Sequence, residues 1–106
     1  MEDIIHPNND IQKIVEILII IKNKINSKTD IAWTGYSSPQ ELINHLEAYI
    51  NYLRLNQFEF MGDISMRFGP TGTFQELSIS NDWGDEFLKL AQQFDYHHKN
   101  FLSQSV

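Results

Sequence analysis

The sequence predicts an α+β fold, ordered α-α-β-β-α, with helices on one face of a small antiparallel sheet centred on a β-hairpin. Three observations carry that expectation. Two alternating runs, Ile64/Met66/Phe68 and Gln75/Leu77/Ile79, flank the breaker cluster Gly69-Pro70-Thr71-Gly72. Pairing Phe68 with Gln75, Arg67 with Glu76, Met66 with Leu77, Ser65 with Ser78 and Ile64 with Ile79 puts most apolar residues on one face. It also puts an opposite-charge pair and a hydroxyl pair on the other, whereas a one-residue slip mixes the faces. Amphipathic stretches on both sides then supply the covering helices.

A chain of 106 residues, 42% hydrophobic, reads as one domain with enough apolar side chains for a core. Residues 1–9 and 103–106 are expected to fray. Apolar residues at 11, 14, 15, 18, 21 and 25 keep helical spacing, which predicts a first helix over about 9–26. The β-branched run Ile17 to Ile21 would also suit a buried strand. If helical, it leaves Ile20 opposite the main stripe, either wrapped by the chain or forming a homodimer face on this helix.

Residues 27–37 form a connector in which Ile31 to Thr34 could add a third strand before Gly35. Trp33 and Tyr36 there are large enough to plug the end of a core or to anchor a partner. Ser38-Pro39-Gln40-Glu41 has the cap, the first-turn proline and the glutamate of a capping box. Leu42, Ile43, Leu46, Tyr49, Ile50 and Leu53 follow on one face, so a second helix runs to about Leu55 and ends near Asn56. Phe58 and Phe60 lead into the hairpin, with Gly62 at a bulge. After the hairpin, Asp82 caps a last helix whose first turn holds Asp85 and Glu86, where the helix dipole favours negative charge.

Eight Lys and Arg against fourteen Asp and Glu leave a net charge of −6, which disfavours nucleic acid and anionic membranes and favours a basic partner. The chain has no cysteine, which rules out disulfides and thiol chemistry. Met1 to Pro7 lacks the basic and apolar regions of a leader peptide, and no apolar run is long enough to span a bilayer. A soluble, cytoplasmic protein is the expectation.

Catalytic patterns are thin. Gly69 to Gly72 lacks the Lys-Ser/Thr ending of a phosphate loop, and no serine sits in a nucleophile elbow. The best metal candidates are Glu41 with His45, four apart, and Asp95 with His98, three apart, as ligands for a small metal-dependent enzyme. Solvent-facing helix surface explains both pairs better, because two-residue spacings arise often by accident and His45 lies off the main stripe of its helix. Asp82, Asp85 and Glu86 beside Trp83 could serve a glycosidase, but a helix start accounts for them without catalysis. No cofactor is implied.

The alternative is an aromatic anchor in an acidic rim: Trp83 with Asp82, Asp85 and Glu86, and Tyr36 or Trp33 nearby. Trp83 serves at least as well as the hydrophobic contact that fixes the entry angle of the last helix. The sequence therefore favours a small acidic, non-enzymatic protein-binding module, such as an inhibitor covering a basic enzyme. Toxin-neutralising immunity proteins share this size and charge, a likeness of composition without a motif.

Overall fold

In the computed structural model, which describes residues 9–104, the polypeptide forms five helices and no strand among those residues. They are α1 (Asn9–Asn23), α2 (Pro39–Arg54), α3 (Met61–Phe68), α4 (Thr73–Ser80) and α5 (Gly84–Gln104). The expected fraying of residues 1–8 and 105–106 lies outside the described residues. Ser103 and Gln104 end α5 in helical conformation.

The hairpin does not form. Residues 63–80 build α3 and α4 instead, so the predicted α+β sandwich is replaced by an all-helical assembly. The physical reason lies in the length of the two segments. Over eight residues, alternation and helical spacing can be satisfied by the same side chains, because positions i and i+4 share a face in either conformation. Ile64 and Phe68 are four apart, and Phe74 and Leu77 are three apart; all four are buried, with Met61 joining the first pair. The strand register required Met66 and Ile79 inward, yet they are 75% and 59% exposed. Gly62 lies in the first turn of α3 and not at a bulge, and Ile31 to Thr34 make a turn closed by a Thr34 N–H to Ile31 carbonyl bond.

The breaker cluster is a helix–helix corner. The backbone of Gly72 passes so close to α3 that a Cβ there would lie 2.6 Å from the Met66 carbonyl oxygen and 2.7 Å from that of Arg67. Glycine is therefore needed for close approach and not for an unusual φ, which is −75° at this residue.

The run Ile17 to Ile21 is helical, which settles its ambiguity. Ile11, Ile14, Val15, Ile17, Leu18 and Ile21 are buried where α1 packs between α2 and α5. Ile20 remains 40% exposed. The second helix follows its expected pattern closely: the Ser38 side chain accepts the Glu41 N–H, and Leu42, Leu46, Tyr49, Ile50 and Leu53 are buried. Ile43 lies at the core margin. Each side chain of this kind contributes about 1.5–3 kcal/mol when fully buried.

An aromatic seam joins α3 and α4 to α5. Phe68 stacks on Phe94 at 4.2 Å and meets Phe74 edge-on at 5.0 Å. Offset and edge-to-face contacts of this type add to the burial of the rings themselves. None of the helices is long and apolar enough, over the described residues, to cross a membrane.

Candidate interaction surface and polar clusters

The corner between α4 and α5 gathers most of the sequence-predicted partner residues. Its geometry follows from how α4 stops. The Trp83 N–H donates to the Ser78 carbonyl at 2.9 Å and the Asp82 N–H donates to the Ile79 carbonyl at 3.5 Å. This is the paired closure of a Schellman motif, in which the residue after the cap turns left-handed. Glycine usually fills that place; here Asp82 does, at φ 66°. Asp82 thus closes α4 and does not cap the last helix as the sequence suggested. Asn56 plays the same part after α2, at φ 59°.

Asn81 ties the corner to the connector between α1 and α2. Its side chain accepts from the Asp30 N–H and donates to the carbonyls of Asp30 and Leu77, each at 2.8 Å. Such amide clamps fix loop backbone that would otherwise be unsatisfied.

Trp83 is half-buried. Its ring meets Phe87 edge-on, and the Lys24 ammonium lies 5.2 Å from the ring centroid while bonding Glu86 at 2.6 Å. Asp82, Trp83, Asp85 and Glu86 line one open depression of about 450 Å³ with Ile79 and Gly84. A second depression, about 240 Å³, shares Ile79, Gly84 and Asp85 and adds Phe87 and Leu88. Ile79 and Leu88 are 59% and 58% exposed. The sequence reading missed these two because it turned Ile79 inward on a strand and gave Leu88 no role. Helical spacing from the buried Leu77 and Phe87 would have placed both outward.

Trp33 and Tyr36 do not join Trp83 as ring partners. Trp33 is 74% exposed. Tyr36 belongs to a separate network between the connector, α2 and α3. Its hydroxyl bonds His45 Nδ1, and its ring and that of Tyr49 flank the Arg67 guanidinium at 5.5 and 5.6 Å. Arg67 donates to the Tyr49 hydroxyl at 2.8 Å and to Thr73 Oγ1 at 3.0 Å, and Tyr49 donates to Asp63. Burial, reinforced by that donation, pushes the Tyr49 hydroxyl up to about 12. Burial and the nearby Arg67 charge hold His45 below the ordinary imidazole range.

Of the metal candidates, Glu41 accepts from the Ser37 N–H and hydroxyl at 2.8 and 3.0 Å, which lowers its carboxyl below the usual range. His45 Nδ1 is engaged with Tyr36. Asp95 is exposed, and His98 stacks on Phe94 at 5.1 Å. Among the described residues, no group of three or more His, Asp or Glu side chains is placed to hold a metal ion.

A third cluster was not foreseen. Asp10, buried at the start of α1, accepts from His97 Nδ1 at 2.8 Å, Asn100 at 3.2 Å and Gln104 at 3.0 Å. These donors, His97 foremost, keep its carboxyl below the usual range. The residues lie about ninety positions apart, so no local pattern could have linked them.

No family model matches the chain, and no curated protein or solved structure matches it.

Proposed function

We propose that this protein acts by binding another protein, a basic one, through the α4–α5 corner, as an inhibitor-type module that masks its partner's surface. One observation carries the reading. Two carboxylates with no side-chain partner among the described residues, Asp82 and Asp85, stand beside two exposed apolar side chains, Ile79 and Leu88, around adjoining depressions. Apolar contact supplies most of the energy of an interface, and unpaired charge at its rim speeds encounter with a partner of opposite sign. The net charge of −6 acts in the same direction over longer range.

The polar clusters elsewhere favour a binding role over catalysis. Tyr36 with His45, Tyr49 with Asp63 and Arg67, and Asp10 with His97 are engaged with one another and knit distant segments together.

The test is capture of a partner by the tagged full chain from its native cells, in parallel with a variant carrying Ile79→Ser, Asp85→Asn and Leu88→Ser. The reading predicts one stoichiometric basic protein on the wild type, lost from the variant although both melt at the same temperature. A partner held equally by both chains, or no stoichiometric partner, contradicts it.

A further inference from the structure

We infer that the segment received by this corner is a basic amphipathic helix, with an apolar side chain between Ile79 and Leu88 and a lysine or arginine one turn away facing Asp82 and Asp85. The inference rests on the protein-binding reading above and specifies the shape and chemistry of the partner.

The corner offers no backbone edge to a partner. An extended peptide commonly binds by adding a strand to an open sheet edge, where backbone hydrogen bonds give affinity. Among the described residues there is no strand, and the backbone of α4 and α5 bonds within the helices and their connecting turn. A partner must therefore bind through side chains. A proline-rich segment would need a row of open aromatic faces, whereas the Trp83 ring is half-buried with the Lys24 ammonium 5.2 Å from its centroid. A helix presents an apolar and a charged side chain three or four residues apart on one face, which suits an apolar trough next to an acidic depression.

Charge at the corner points the same way. The corner has three carboxylates, of which one, Glu86, is neutralised among the described residues: Lys24 bonds it at 2.6 Å. That pair shows an ammonium seated between an acid and an indole on this surface. Asp82 and Asp85 have the same chemistry with neither an ion pair nor a side-chain hydrogen bond among the described residues. Gly84 lies between the two depressions and adds no side chain that would separate an apolar anchor from a cation.

The test is selection of random 16-residue peptides displayed on phage against the full chain, with counter-selection against a Leu88→Ser, Asp85→Asn variant of unchanged melting temperature. Support would be peptides with a large apolar residue and a Lys or Arg three or four positions apart. They should become helical by circular dichroism on binding and lose tenfold or more in affinity on either single substitution, Ile79→Ser giving the same loss. Corner-dependent peptides that are basic but bind extended overturn this inference and leave the protein-binding reading standing, whereas acidic or uncharged ones overturn both the inference and the basic partner. Failure to enrich any peptide over the variant overturns the inference and removes the corner as a site, and the capture experiment then decides the broader reading.

Discussion

The Lys24 ammonium sits 5.2 Å from the centroid of the Trp83 ring and 2.6 Å from a Glu86 carboxylate oxygen, so the end of α1 clamps the start of α5 through an indole. Trp83, which the sequence offers both as a partner anchor and as the apolar contact that fixes the entry of the last helix, is thereby held against the core and Phe87. Trp83→Ala should destabilise the protein by about 1–3 kcal/mol, less than a fully buried tryptophan because the ring is half-exposed. Lys24→Met should cost about 0.5–1 kcal/mol. Denaturant midpoints check both, and an unchanged midpoint for Trp83→Ala would remove the clamp from the account.

Two glycines in α3 and its corner should respond in opposite directions. Gly72→Ala forces a Cβ against two backbone carbonyls that cannot rotate away, and overpacking of this kind costs about 1–3 kcal/mol. At Gly62 a Cβ would meet nothing within 4 Å, and alanine in a helix should stabilise by up to about 1 kcal/mol. Thermal melts of the two variants distinguish helices from a hairpin in this region, since a bulge glycine would not tolerate alanine so well.

The left-handed Asp82 should trade stability against binding. Asp82→Gly relieves its backbone and should raise stability by about 0.5–1 kcal/mol while removing a rim charge. Asp82→Asn keeps the turn and the stability but loses the charge. Both should weaken a basic partner; if neither does, Asp82 is only a turn residue.

Stability should fall on the acid side in two stages. His45 is held below its ordinary range by burial and Arg67, His98 by burial, and Asp10 by its three donors. All three groups therefore take up protons less readily in the folded than in the unfolded chain. Stability is complete above the unfolded imidazole value of about 6.5, and is lost as pH falls through the folded values of the two histidines. A further loss follows below about 3.9, as Asp10 is protonated. Urea midpoints across this range check the profile. His45→Gln should flatten its upper stage, and a slope unchanged in that variant would exclude His45 from it.

How much of this could be read from the sequence depended on segment length and on locality. The second helix was legible because Ser38, Pro39 and Glu41 sit within one turn and five core residues follow in phase. The segments 61–68 and 73–80 were not, because eight residues satisfy two periods and only the exposure of Met66 and Ile79 separates them. The acidic side chains at the corner are neighbours in sequence and could be grouped at once. Helical spacing turns Ile79 and Leu88 outward, but only the path of α4 into α5 brings them beside those acids. The Asp10–His97 and Tyr36–His45–Arg67 networks depend on contacts between separate helices and a connector that no local spacing encodes.

The central claim is that the α4–α5 corner is the protein-binding surface. Hydrogen exchange on the free chain and on its captured complex tests it most directly. The account predicts that the partner slows exchange over the second half of α4, the Asn81–Trp83 turn and the first two turns of α5. Protection confined to α1 and α2, with the corner unchanged, would contradict it.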